Sequence, residues 1–215
     1  QQKELRISEM NTLISQINPH FLYNTLDSII WMAEGRKYEE VVLMTASLAR
    51  LLRQSISNED EVVPLAREVE YAKGYLTIQK MRYKDKLEFE IDVEPSILNI
   101  PLIKLVLQPI IENAIYHGID RMVDQGFITI RIFPDGEDIV FQVEDNGIGM
   151  TEEQCSQFLK QEGSDRQGLG GIGIKNVNDR IKIYFGEKYG ISIESELDEG
   201  TCVTIRMPKV KGDEV

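Results

Sequence analysis

Two apolar stripes at helical spacing, one on each side of Gly35, constrain this 215-residue chain more than any other feature. In the first, from Gln1 to about Ala33, Met10, Leu13, Ile14, Ile17, Phe21 and Ile29 return to one side of a 3.6-residue period. In the second, from Tyr38 to about Ser57, Val41, Val42, Leu48, Leu51, Leu52 and Ile56 do the same. The short link at Gly35 folds such a pair into an antiparallel hairpin. Two helices cannot enclose a core, so both stripes are expected to be buried by dimerisation into a four-helix bundle.

After the polar stretch Ser57 to Glu61 the pattern changes. A third helix is predicted from Pro64, whose missing N–H suits a first turn, to about Arg82, followed by an alternating strand Leu87 to Val93. Pro101 is expected to open a very apolar helix reaching about His117. Phe127 to Phe133 and Ile139 to Asp145 alternate as two strands turned at Pro134-Asp135-Gly136. A loop rich in Gly and polar residues covers 146–170, a helix runs from Gly171 to Phe185, and strands Ile191 to Ser195 and Thr201 to Met207 meet around Asp198-Glu199-Gly200. The predicted organisation is a helical hairpin over residues 1–59 and an α+β sandwich over 60–215, with a mixed sheet covered by helices on one face.

Composition narrows the function classes. With 42% hydrophobic and 28% charged residues the chain has the make-up of a globular protein. A net charge of -12 opposes sequence-independent nucleic-acid binding, which runs on clustered Lys and Arg, so proteins and small ligands are the expected partners. The two cysteines, Cys155 and Cys202, have no zinc-site spacing and fit a reducing compartment. No run approaches the roughly 18 apolar residues of a membrane span, and the polar N-terminal stretch is unlike a signal peptide. Starting without Met and inside a helical pattern, the sequence is expected to be the soluble piece of a longer protein whose membrane parts precede it.

Three segments carry chemistry. The first is Gln16-Ile-Asn-Pro-His20-Phe-Leu-Tyr-Asn24-Thr-Leu-Asp27. At about 100° per residue His20 lies some 80° from the centre of the stripe, on the border between core and solvent, and Pro19 should bend the helix there. A lone His at such a place is as readily a surface residue beside a kink as a reactive one. The second is Leu107-Gln-Pro-Ile-Ile-Glu112-Asn113-Ala-Ile-Tyr116-His117-Gly118, where Asn113 and His117 stand four apart on one helix face. Polar groups in so apolar a helix need a partner: either they cap the helix end before Gly118, or they face magnesium with nucleotide phosphates.

The third segment is Glu144-Asp145-Asn146-Gly147-Ile-Gly149-Met150. Asp145 continues the inward face of Ile139, Phe141 and Val143, so its carboxylate is aimed at the core where the strand ends. Such an acceptor suits an exocyclic amine like that of adenine, and Gly147 and Gly149 let backbone approach the ring. Further on, Gly168-Leu-Gly170-Gly171-Ile-Gly173 matches the dinucleotide fingerprint, but no strand precedes it and no βαβ unit surrounds it. Its glycines still lead into a helix N-terminus, which suits phosphate oxygens.

Together these segments resemble the sensor histidine kinases, in particular the LytS/YesM-like subgroup whose phosphoacceptor box reads Asn-Pro-His-Phe-Leu-Tyr-Asn, over nearly the whole chain and in the right order. The resemblance implies a dimerisation and histidine-phosphotransfer hairpin followed by a Bergerat-type (GHKL) ATP-binding sandwich. It further implies ATP and Mg2+ as cofactors, a homodimer, a response-regulator receiver domain as partner, and a place on the cytoplasmic face of the membrane. By position, His20 would be the phosphoacceptor and Asn113 the magnesium ligand, with His117 beside it at the nucleotide. Asp145 would hold the adenine amine, Gly147 and Gly149 would shape its pocket, and Thr201 would help Asp145 at the base. Residues 150–170 would form a lid, with Gly171 and Gly173 at the phosphates. Asn24, one turn beyond His20, would position water for dephosphorylating a bound regulator.

Two positions depart from the family pattern. Tyr116 stands where relatives more often carry Lys or Arg, and Asp27 where the box often ends in Asn. Many histidine kinases place Asp or Glu directly after the phosphoacceptor, where this chain has Phe21, and Glu112 is the candidate general base here. The alternatives are a GHKL-type ATPase and a non-catalytic signalling scaffold. ATPases of that kind place Glu four residues before the magnesium Asn, where this chain has Pro109, and intact Asn113, Asp145 and glycine positions speak against a scaffold.

Overall fold

The computed structural model describes residues 19–56, 62–158 and 171–209. Contacts divide the chain into two compact units, residues 1–61 with 73–84, and residues 62–72 with 85–215. The expected boundary at residue 60 assigns the whole third helix to the second domain, whereas contacts give its second half to the helical unit.

In the helical unit, α1 (Pro19–Glu34) and α2 (Tyr38–Ile56) form the predicted hairpin. The link is closed by Gly35 N–H on the Trp31 carbonyl at 3.0 Å and by Arg36 in the left-handed region at φ 56. The part of the first stripe before Pro19, and any bend there, lie outside the described residues. Phe21, Thr25 and Met32 of α1 and Met44, Leu48 and Leu51 of α2 are buried. The third segment contributes Tyr75, whose ring stacks on Phe21 at 4.6 Å. Val42, expected on the buried stripe, is exposed. Two residues from Met44, it is turned by about 200° around the helix. Tyr23, Leu26 and Ile30 on α1 and Tyr38 and Val42 on α2 leave apolar surface open to solvent.

The second unit is built on a five-stranded sheet. β1 (Val62–Pro64) leads into α3 (Leu65–Tyr83), and β2 (Leu87–Val93) follows. β3 (Pro101–Ile103) pairs antiparallel with β1, aligning Pro64 with Pro101. The helical stretch α4 (Gln108–Asn113) continues as a π turn, Ala114–Gly118. β4 (Gly126–Asp135) and β5 (Asp138–Asp145) form the expected hairpin, with Gly136 at φ 59 in its turn. α5 (Glu152–Phe158), α6 (Gly171–Phe185), β6 (Gly190–Glu196) and β7 (Gly200–Pro208) complete the unit. The sheet order is β2-β4-β5-β7-β6, with β2 and β4 parallel and the other pairs antiparallel. Ile128, Ile130, Phe141, Val143, Val203 and Ile205 are buried, as are Ile110, Ile111 and Ile115 of the α4 region and Ile174, Val177 and Ile181 of α6.

Two expectations are corrected. Pro101 lies in a short paired strand rather than at a helix start, whereas Pro64 ends β1 immediately before the helix expected there. The helix predicted from Pro101 begins only at Gln108, because the buried Glu68 carboxylate on α3 accepts the backbone N–H groups of Leu105 at 2.7 Å, Val106 at 3.0 Å and Leu107 at 3.2 Å. Leu105 sits at φ 61, a conformation an α-helix does not accommodate. The loop predicted for 146–170 contains α5, opened by a capping box in which Thr151 Oγ1 accepts the Gln154 N–H at 3.3 Å and Gln154 Oε1 accepts the Thr151 N–H at 2.9 Å.

Candidate active site

One cavity of the sheet unit is lined by Asn113, His117, Gly118, Arg121, Asp145, Ile148, Gly149, Met150, Gln154, Leu197 and Thr201. Of the positions singled out in the sequence, it therefore gathers Asn113, His117, Asp145, Gly149 and Thr201, which come from two helical turns, two strands and a loop.

Asp145 ends β5 on its inward face, where the alternation placed it, and is buried. Its Oδ1 accepts the Gly147 N–H at 2.9 Å. Burial pushes its carboxyl up to about 7, against the opposing pull of the Gly147 and Thr201 backbone N–H groups, and the neighbouring Glu144 charge adds to the rise. Glycine is required on both flanks. A Cβ on Gly118 would lie 2.8 Å from Asp145 Oδ1, and one on Gly147 would lie 2.6 Å from the same atom and collide with the Gly118 backbone. Gly149, at φ 63, runs against the Glu196 carbonyl with no room for a side chain. Asn146 holds the strand ends, accepting the Phe127 N–H at 2.6 Å and donating to the Gln125 carbonyl at 3.2 Å.

Asn113 is the last residue of α4, and its Oδ1 is buried with no protein donor. His117 Nδ1, on the π turn, is likewise buried and unpaired. Burial, seconded by the positive charge of Arg121, lowers the His117 pKa from its usual value, so the ring is neutral at pH 7. Two unpaired buried polar atoms in one cavity are costly unless something outside the protein pairs with them. The oxygen of Asn113 is the donor type a hard divalent cation takes, and the site therefore fits a magnesium nucleotide.

The remaining positions fall elsewhere. Gly171 starts α6, and a Cβ on Gly173 would lie 3.1 Å from that of Pro109, so Gly173 permits close packing of α6 on α4. Glu112, half-buried, accepts the Gln108 side-chain amide at 2.9 Å across one helical turn and is not among the residues lining the cavity. His20 and Asn24 belong to the helical unit. His20 is exposed, and the Asn24 amide nitrogen lies 3.0 Å from its Nε2 and 3.2 Å from its Nδ1.

Sequence reasoning missed Arg121, Gln154 and Ser195. Gln154 was legible, since Thr-x-x-Gln at 151–154 is a helix-start signature. Arg121 and Ser195 carry no local signal, because each is brought to the site by tertiary structure.

Comparison with known proteins agrees with this geometry. The family profile described as "Histidine kinase" matches residues 8–87, and that described as "Histidine kinase-, DNA gyrase B-, and HSP90-like ATPase" matches residues 99–211. Sensor histidine kinase YesM of Bacillus subtilis is 36% identical over 95% of this chain and 34% of its own length. Sensor protein LytS of Bacillus cereus is 30% identical over 100% of this chain and 36% of its own length. The solved histidine kinase domain of the blue-light activated histidine kinase from Erythrobacter litoralis EL346 superimposes with a TM-score of 0.51 at 14% identity, covering 86% of this chain and 94% of that one, which speaks to the fold alone. The chain belongs to the sensor histidine kinase family, in its LytS/YesM-like branch, and contains the phosphotransfer hairpin and the GHKL ATP-binding domain of that family. It spans about a third of the length of the curated relatives it matches. No described helix is long and apolar enough to cross a membrane.

Proposed function

We propose that this chain is the catalytic core of a two-component sensor: it binds ATP with magnesium in the sheet unit and transfers the γ-phosphate to His20, from which a response-regulator aspartate takes it. One observation carries the nucleotide assignment. A single cavity unites a buried carboxylate, a buried threonine and two polar atoms with no protein partner, Asn113 Oδ1 and His117 Nδ1.

Asp145 receives the exocyclic amine of adenine, with Thr201 beside it. Gly147 and Gly149 keep the floor of the pocket free of side chains. Asn113 Oδ1 would hold the magnesium, which when bound neutralises phosphate charge and fixes the phosphates for in-line transfer. His20 attacks with the lone pair of one neutral ring nitrogen. A nitrogen–phosphorus bond forms as the bond from the γ-phosphorus to its bridging oxygen breaks, ADP leaves, and the proton on the other ring nitrogen is lost to a base, for which Glu112 is the candidate. The Asn24 amide beside the His20 ring holds its orientation and is also placed to orient water against a phosphorylated partner.

The apolar surface of Tyr23, Leu26, Ile30, Tyr38 and Val42 supports dimerisation through the hairpin. As part of a longer sensor, the chain would act at the cytoplasmic face of the membrane. Incubation with γ-labelled ATP and magnesium tests the proposal. Acid-labile label on the protein is expected, and rapid release of free phosphate with no labelled protein would replace the kinase by an ATPase.

A further inference from the structure

Ser195, on the half-buried edge strand β6, is the centre of a hydrogen-bond cluster whose polarity can be worked out. Its Oγ lies 2.8 Å from the Gly200 carbonyl, 2.8 Å from the Met150 backbone nitrogen and 2.8 Å from Thr201 Oγ1. A carbonyl can only accept and a backbone N–H can only donate. The single Ser195 proton therefore goes to Gly200, and one of its two lone pairs takes the Met150 N–H. The other lone pair remains for Thr201, so the Thr201 hydroxyl is the donor in that pair. With its proton committed to Ser195, Thr201 turns only lone pairs toward the cavity it lines.

We propose that Ser195 is a positioning residue for base recognition: by taking the Thr201 proton it makes Thr201 an acceptor and so sets the preference of the site for a purine bearing an exocyclic amine. The proposal rests on the adenine-nucleotide reading of this cavity. Asp145 is the second acceptor, facing Thr201 across the β5–β7 ladder. Two acceptors side by side pair with an amine and leave the oxo group of hypoxanthine without a donor. A site built on such polarity rejects the mismatched base because buried acceptors then stay unpaired. The same Ser195 bonds tie Met150, just after Gly149, to the β6–β7 turn, so one hydroxyl fixes both the loop backbone and the polarity of its neighbour.

The test is calorimetric binding of ADP and of its hypoxanthine analogue IDP to the full chain, which needs no turnover. The parent should prefer ADP. In Ser195→Ala, Thr201 is free to donate to the oxo group, and the ADP/IDP preference should fall by about tenfold, the size of one buried hydrogen bond. Ser195→Thr should restore it. Thr201→Val leaves the Ser195 bonds to Met150 and Gly200 in place, so it reads the same preference should Ser195→Ala not fold, and an equal loss is expected. Equal losses of ADP and IDP affinity in Ser195→Ala, or a parental preference in Ser195→Ala or Thr201→Val, would overturn the assignment. A parent that binds ADP selectively while the variants keep that selectivity removes only the role of Ser195. A parent that binds neither nucleotide removes the underlying site as well.

Discussion

Asp145 and Thr201 are Cα partners in the β5–β7 ladder, so a buried carboxylate and a buried hydroxyl residue stand opposite each other where both strands open into the cavity. The pairing gives the site its pH dependence. Burial raises the carboxyl to about 7, and an amine donor binds its ionised form best. Nucleotide affinity should therefore climb as pH rises through about 7 and level off above it, and Asp145→Asn should flatten the profile and weaken binding. The sign for stability is opposite. The folded state holds this proton more tightly than the unfolded chain, so the contribution of Asp145 to stability is greatest at low pH and declines as pH rises from the ordinary value of 3.8 toward 7. Calorimetry across pH 5.5 to 8.5 checks the first statement, and a flat parental profile would contradict it.

The orphaned oxygen of Asn113 gives a prediction in which function and stability part. Asn113→Ala removes a buried acceptor that has no protein partner, so it should cost little stability. It should also abolish the gain in ATP affinity that magnesium confers. Affinities with magnesium and with a chelator should become equal in the variant, and a retained magnesium effect would assign the metal to another residue.

Glu68 is expected to matter for the fold. Its carboxylate satisfies three successive backbone donors, and burial raises its pKa despite those bonds and the Arg180 charge. Glu68→Ala should destabilise the sheet unit by about 2–4 kcal/mol, since the donors at 105–107 lose their common acceptor. Thermal unfolding measures this, and a change below about 0.5 kcal/mol would place the support of that turn elsewhere.

The same residue explains where sequence reasoning stops. The strands were legible because alternation is written locally: Ile139, Phe141, Val143 and Asp145 face inward as their spacing required. The start of α4 was not, because apolar runs such as 101–107 are periodic enough for a helix while the carboxylate that stops them sits 37 residues away in sequence. The hairpin was read correctly as a pair, and the part Tyr75 takes in its packing was not legible, since Tyr75 reaches Phe21 only through the fold. In the site, Asn113 and His117 were visible as polar residues in an apolar stretch. The π turn that carries His117 left no sign in the sequence, and Ser195 looked like any strand serine.

Glu112 bonds to Gln108 and stands next to Asn113, which makes it testable apart from nucleotide binding. As the base for His20, Glu112→Gln should slow phosphoryl transfer by roughly 10²–10⁴-fold with ATP affinity preserved. Autophosphorylation at the parental rate would eliminate it, and loss of ATP binding would make it a structural residue.

The central claim is that phosphate travels from the nucleotide cavity to one histidine of the hairpin. Mass-spectrometric location of the phosphate after treatment with ATP and magnesium, in the parent and in His20→Gln, tests it most directly. The account predicts a single acid-labile phosphate on His20 in the parent and none in the variant, whose ATP affinity stays unchanged. Phosphate on any other residue, or a His20→Gln protein that still acquires it, would contradict the account.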